Sequence, residues 1–439
     1  MKRLIEERLI EWKRASRRKP LMVRGGRQVG KTWSIETFGQ NHFKSMLKVD
    51  LEKRTDLHTI FQDDLSSKTV LSRLGIASRQ KIKAGETLLF LDEIQACPRA
   101  LMALRYFYEE RPELHVIAAG SLLDFALGEI PFPVGRVQFV NMYPMTFAEF
   151  LLAGGHEQLW QILQEPPTKI DEFVHNLIIT QLKNYFFTGG MPEAVQAYLD
   201  SEYMLEAFDV QSEILAAYRL DFAKYAPRAD KLCLDQVLSG CATRVGDQIM
   251  YSQLTDSYSN PTIRKAFELL CMAKVLQKIP SVKRPVVPLG SLANNRKFKA
   301  SIIDIGLMQR LNHLPVDVEI RQENLLAIYR GKLAEQFVAQ ELIAAQNGEL
   351  YYWARNAPGS TAEVDYLFEY QGKIYPLEVK SGRGGTLRSM HAMLRRYPEC
   401  PEGLVLYSGP YAKRLEQKLR FVPLYYAGSL AGLKGLGRA

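Results

Sequence analysis

Apolar residues run through this chain in two rhythms. Short unbroken stretches such as "PLMV" (Pro20–Val23), "TLLFLD" (Thr87–Asp92) and "LHVIAAG" (Leu114–Gly120) have no polar face. They predict buried strands. Elsewhere the apolar positions recur every three or four residues. The first segment, "MKRLIEERLIEWKRASRRKP", places Leu4, Ile5, Leu9, Ile10 and Trp12 at helical spacing and predicts a docked amphipathic helix. From Glu149 to about Leu234 the pattern is helical, broken at "FFTGGMPEAVQAYLD" (Phe186–Asp200) by Gly189, Gly190 and Pro192. Between Gln248 and Ile279 it predicts one helix, a turn at Ser259-Asn260-Pro261 and a second helix. "PSVKRPVVPLGSLANNRKFKASIID" then supplies strands and a basic wing, the order of a winged helix-turn-helix. The last third gives a helix over Gly331–Leu342 and, from Leu350 to Gly382, a strand, a loop and a hairpin turning at Gln371-Gly372. "GTLRSMHAMLRRYPE", from Gly385, follows as a helix.

Composition narrows the class. At 439 residues the chain exceeds one ordinary core, and the length favours about three domains. The net charge of +9 permits an anionic partner, but the excess is spread along the chain. Cys97, Cys233, Cys241, Cys271 and Cys400 are scattered, without any C-x-x-C pair, so neither a disulfide framework nor a zinc site is expected. No apolar run approaches the roughly 20 residues that span a bilayer, and the first segment lacks the apolar centre of a signal peptide. A cytoplasmic protein with no membrane partner is the expectation.

"VRGGRQVGKTWS" (Val23–Ser34) fits the G-x-x-x-x-G-K-[ST] pattern, and it stands between a buried strand and a helix as the pattern requires. Gly25, Gly26, Arg27, Gln28, Val29 and Gly30 would wrap phosphate oxygens with backbone N–H groups, and Lys31 would add charge. Thr32 would ligate Mg²⁺, with the helix N-terminus facing the phosphates. About sixty residues on, the strand "TLLFLDEIQ" ends in two acids. Asp92 would hold the metal and Glu93 would polarise the attacking water, a division of labour that suits hydrolysis of ATP. Ser121, ending the next strand, would either position that water or cap a helix. Arg136 would either reach a neighbouring subunit's γ-phosphate or stay solvated.

A second constellation lies near the end of the chain. Alternation along "EVDYLFEY" puts Glu363 and Asp365 on one face, and "KIYPLEVK" puts Glu378 and Lys380 on one face of its partner. Two acids and a lysine thus converge across a hairpin, as a metal-dependent phosphodiesterase needs. Asp365 and Glu378 would bind Mg²⁺ or Mn²⁺, Glu335 would complete the shell, and Lys380 would steady the hydroxide. The D-x12-E-x-K spacing resembles the PD-(D/E)xK nuclease core, while ordinary cross-strand charge pairing would give the same pattern. Arg264 and Lys265, at the start of the second helix of the helix-turn-helix, are the expected DNA-contacting residues.

Taken in order, "RKPLMVRGGRQVGKT", "LLFLDEIQ", "IAAGS", "VGRV", "YPMTFAEF", "GGMPEAV", "YRLDFAKY", "KFKASIIDIGLMQRL", "GKLAEQFVAQEL", "EVDYLF" and "PLEVKSG" resemble bacterial and archaeal AAA-type ATPases that carry a C-terminal nuclease-like domain of unassigned function. The resemblance covers nearly the whole chain. It implies an α/β protein with an AAA+ P-loop ATPase domain over residues 1–150, a helical lid and winged-helix region over 151–310, and a PD-(D/E)xK-like α/β domain over 311–439. It also implies assembly into a homo-oligomeric ring. The resulting expectation is an Mg²⁺-dependent ATPase, with ATP as cofactor, coupled to a nuclease-like domain acting on DNA. The alternative is an ATP-controlled regulatory or defence/toxin-related switch whose C-terminal domain binds without cutting.

Overall fold

The computed structural model describes residues 1–121, 123, 125, 135–225, 230–313, 326–357, 360–380 and 387–432. The expected elements at Phe132–Val134, at Gly382 and at Gly385–Thr386 lie outside them. The chain divides into two compact units, Met1–Tyr143 with Met272–Lys274, and Pro144–Cys271 with Val275–Ala439.

The first unit is built on five strands: β1 (Leu21–Arg24), β2 (Ser45–Asp50), β3 (Thr87–Asp92), β4 (His115–Gly120) and β5 (Gln138–Asn141). They pair in the order β2-β3-β4-β1-β5, every neighbour parallel. β3 and β4 are buried at every position, which is why their sequences show no alternation. Helices α1 (Ile5–Arg14), α2 (Lys31–His42), α3 (Ser67–Ser78) and α4 (Pro98–Glu110) accompany the sheet. α1 buries Ile5, Leu9 and Trp12, three residues of its expected apolar stripe. α4 buries Ala100, Leu101, Ala103, Leu104 and Phe107, the spacing of one helical face. Because β4 lies between β1 and β3, the residue after β4 stands between the loop that follows β1 and the acids that end β3.

The second unit begins with helices α5 (Phe147–Ala153), α6 (Glu157–Gln164), α7 (Glu172–Thr188), α8 (Pro192–Ser201), α9 (Met204–Tyr225), α10 (Lys231–Thr243) and α11 (Asn260–Met272). Strands β6 (Leu276–Val282) and β7 (Ala293–Ile302) follow, then α12 (Ile305–Leu311) and α13 (Leu326–Ala345). The chain then adds β8 (Tyr351–Ala357), β9 (Ser360–Tyr370), β10 (Lys373–Lys380), α14 (Arg388–Arg396), β11 (Gly403–Tyr407), β12 (Ala412–Arg414) and β13 (Leu419–Pro423). The eight strands pair in the order β12-β13-β11-β10-β9-β8-β6-β7.

Two departures from the expected pattern have local causes. The helix expected before Ser259-Asn260-Pro261 is a single 3₁₀ turn over Tyr251–Gln253, and the helix preceding α11 is α10. The expected wing, β6–β7, is not a free hairpin: β6 runs parallel to β8 at Ser281↔Tyr352 and Val282↔Trp353, which draws it into the large sheet. Val282 and Trp353 are buried there with Val364, Leu367 and the α14 residues Met390 and Met393.

Several of the quoted sequence stretches meet in one buried polar knot of this unit. Asp304 caps α12 through the Leu307 N–H at 3.1 Å and takes the Gly190 N–H at 2.6 Å. A Cβ on Gly190 would fall 2.1 Å from the Met145 carbonyl oxygen. α13 supplies the rest. Gln336 accepts from the Ile302 N–H and donates to its carbonyl, Gln340 accepts from the Ile305 N–H, and Glu341 accepts from the Phe147 N–H at 2.9 Å. Buried backbone groups outside regular ladders need such partners. "YPMTFAEF", "GGMPEAV", "IIDIGL" and "AEQFVAQEL" therefore share one structural reason.

Candidate functional site

In the first unit the loop Gly25–Gly30 joins β1 to α2. Gly30, capping α2, sits at φ 90°, a conformation open to glycine. Gly25 is pressed against the chain, since a Cβ there would lie 2.2 Å from the Met142 carbonyl oxygen. Lys31 is buried, and its ammonium donates to the carbonyls of Gly25 at 3.1 Å and Gly26 at 2.7 Å. Burial holds its pKa down at about 8, against the pull of Glu93 and Asp92. A cation kept on backbone carbonyls at the start of a helix is poised for an anion's oxygens.

Thr32 Oγ1 donates to both carboxylate oxygens of Asp92, at 3.0 and 3.2 Å, which joins the two expected metal-holding groups across α2 and β3. A hydroxyl facing a carboxylate next to a phosphate loop is a donor set that fits Mg²⁺. Glu93 adopts a left-handed conformation, φ 47°. Its Oε2 takes hydrogen bonds from the Gln95 amide, from the Ser121 N–H at 3.5 Å and from Ser121 Oγ at 3.4 Å. Ser121 thus stands beside the second acid. Arg136 is half-exposed and its Nε pairs with Glu109 at 3.2 Å, at the end of α4.

Two participants here were given no role by the sequence motifs. Lys48 of β2 pairs with Asp92 at 3.2 Å and with Glu36 at 2.8 Å. Burial raises the Asp92 carboxyl above its usual range while Lys48 opposes that rise. Gln95 fits because Gly120 leaves it room: a Cβ there would lie 2.0 Å from Gln95 Oε1. The alternation of "SMLKVD" does point Lys48 and Asp50 to one face. Nothing local says that this face meets Asp92.

In the second unit the hairpin forms as its sequence directs. Gln371 (φ 50°) and Gly372 (φ 70°) make the tight turn, and Lys373 pairs with Tyr370. Asp365 Oδ2 accepts the Val379 N–H at 2.8 Å, and Lys380 donates to Glu378 at 2.7 Å. Glu335 reaches the same cluster from α13. Glu335 and Glu378 are each raised to about 7, by burial first and by the nearby Asp365 second.

The cation expected among these acids is present, and it is a side chain. Lys299 of β7 is 1% exposed, and its Nζ lies 2.8 Å from Glu363 and 3.4 Å from both Glu335 and Asp365. Although burial pulls the other way, Asp365, Glu335 and Glu363 hold its ammonium well above the ordinary lysine range. Divalent ions bind oxygens at about 2.0–2.6 Å. The spacing around Lys299 is that of an ammonium. As arranged, Glu335, Asp365 and Glu378 do not fit a divalent metal, and among the described residues no group of three His, Cys, Asp or Glu does. "FKAS" within an apolar strand was the available signal, because a lysine buried in a sheet requires buried acids.

Arg264 and Lys265 are both exposed on the first turns of α11. Arg264 pairs with Glu268 one turn on, at 2.7 Å.

Residues 17–151 match the family described as an AAA domain. Residues 179–317 and 330–427 match two domains of unknown function, DUF8612 and DUF4143. No curated protein matches the chain. Among solved structures, a Walker-type ATPase of Pyrococcus abyssi is similar at 16% identity over 71% of this chain and 95% of its own, with a TM-score of 0.45. The Aeropyrum pernix ORC1 protein in complex with DNA is similar at 13% identity over 72% of this chain and 92% of its own, with a TM-score of 0.28. The S. cerevisiae Hsp104–ADP complex is similar at 14% identity over 79% of this chain and 44% of its own, with a TM-score of 0.28. Residues 17–151 form an AAA-type P-loop ATPase domain. Among the described residues, no helix is long and apolar enough to cross a membrane.

Proposed function

We propose that this chain is an Mg²⁺-dependent ATPase acting on nucleic acid, with Glu93 as the base that activates water. The observation that carries the reading is the grouping of Glu93 with the Thr32–Asp92 pair, under hydrogen bonds from Ser121 and Gln95. Thr32 and Asp92 would hold Mg²⁺, which would supply charge neutralisation on the phosphate oxygens. Lys31 leaves the Gly25 and Gly26 carbonyls for those oxygens. Ser121 and Gln95 aim the Glu93 carboxylate, and a carboxylate so placed takes a proton from water as the water attacks.

Action on nucleic acid is supported by the net charge of +9 and by exposed cations around α11 and the β6–β7 hairpin: Lys265, Lys283, Arg284 and Arg296. With Arg264 paired to Glu268, Lys265 is the residue of the two that faces a phosphate without first breaking a side-chain ion pair. The test is ATP turnover with and without duplex, forked and four-way-junction DNA. The reading expects at least one DNA to raise turnover, and expects Lys265→Glu to blunt that rise. ATP turnover indifferent to every DNA contradicts it and favours a second reading, a regulatory switch whose C-terminal part binds without cutting. The observation favouring the second reading is Lys299, which stands among the acids that cleavage would need.

A further inference from the structure

We propose that the Lys299 ammonium is the resident cation of the Glu335–Glu363–Asp365 cluster, built into the fold in the place of a divalent ion. Two carboxylates buried side by side are costly unless a positive charge lies between them. A metal-dependent phosphodiesterase supplies that charge from solution. Here β7 supplies it from the chain.

The geometry is that of a completed ammonium site. Lys299 has three N–H donors, and three carboxylates surround its Nζ at 2.8, 3.4 and 3.4 Å. The rings of Tyr352 and Tyr366 flank it at 5.4 and 5.6 Å, which adds cation–π attraction and keeps water out. Of the remaining oxygens, Asp365 Oδ2 takes the Val379 N–H and Glu378 Oε1 takes Lys380, while Glu378 Oε2 is buried without a hydrogen-bond partner among the described residues. A divalent ion on the same oxygens would share them with a buried ammonium, a repulsion that low dielectric makes large.

The position of Lys299 also explains what the ammonium does. It comes from β7, whereas its partners come from α13 and β9. β6 joins β8 over two residue pairs, Ser281↔Tyr352 and Val282↔Trp353, so the β6–β7 hairpin is held to the large sheet at a narrow seam. The buried ion cluster ties β7 across that seam. Removing one partner of such a cluster leaves an uncompensated buried charge, a large loss.

The inference is independent of whether the chain acts on nucleic acid, and it is tested by the metal alone. Mn²⁺ uptake is followed by electron spin resonance on the full, nucleotide-free chain carrying Asp92→Asn, which removes the carboxylate ligand of the first unit. With Lys299 intact, no Mn²⁺ is taken up by the cluster. With Lys299→Met added, one Mn²⁺ is taken up, and Asp365→Asn abolishes that uptake. Mn²⁺ bound to the Lys299-intact chain and lost on Asp365→Asn would overturn the proposal, as would a folded Lys299→Met chain that takes up none. Should Lys299→Met fail to fold, the Lys299-intact measurement still decides. Thermal melting gives a second readout: Lys299→Met/Asp365→Asn should melt above Lys299→Met, because the anion leaves with the cation. Losses that simply add would contradict the pairing.

Discussion

Lys31→Ala removes an ammonium already held at the mouth of the phosphate loop, and ATP affinity should fall by about tenfold to a hundredfold, read by calorimetry. Lys48 acts at one remove. It lies against Asp92, a carboxyl that burial raises and that must be ionised to hold metal. In Lys48→Met that opposition is gone, so the Asp92 pKa rises further. The acid limb of the pH–turnover profile should then move to higher pH, and an unmoved limb would deny Lys48 this role. Legibility differs sharply between these residues. Gly25, Gly30, Lys31, Thr32, Asp92 and Glu93 were readable because their spacing within strand, loop and helix is local. Lys48 and Lys299 act through neighbours that only strand order brings together, and no local pattern encodes that order.

At the scale of elements, the β9–β10 hairpin was readable from its turn, since Gln371-Gly372 suits a tight turn with two positive φ angles. The β6–β7 hairpin was readable as a hairpin but not as part of a larger sheet, because its two-pair seam with β8 depends on residues seventy positions away. Helix α13 holds a sharper test. Glu341 is fully buried against the N-terminus of α5, and burial raises its pKa from 4.5 to about 8. A carboxyl raised on folding stabilises the fold fully below its unfolded pKa and loses that contribution as pH climbs through the folded one. Urea midpoints should therefore fall between pH 5 and 8, and Glu341→Gln should flatten that slope while keeping the acceptor for Phe147. A slope unchanged by the substitution would refute the assignment. Gly190→Ala, which drives a methyl into the Met145 carbonyl, should cost about 3 kcal/mol, measured by the same titration.

For the whole molecule, assembly into a ring would give Arg136 a role across subunits. Its pair with Glu109 is half-exposed and so costs little to leave. Mixing Lys31→Ala with Arg136→Ala chains should restore part of the lost turnover, because one intact loop then meets one intact arginine. A monomer with full activity by sedimentation at assay concentration would exclude this arrangement. DNA binding, if the exposed cations carry it, should weaken with salt, and Lys265→Ala should reduce the slope by about one unit in log–log form. The account as a whole depends most on Glu93. ATP binding and ATP turnover measured together on the parent chain and on Glu93→Gln test it most directly. Binding should stay at the parental level, because Lys31, Thr32 and Asp92 are untouched, while turnover falls by about 10²- to 10⁴-fold. A Glu93→Gln chain that hydrolyses ATP at the parental rate would contradict it.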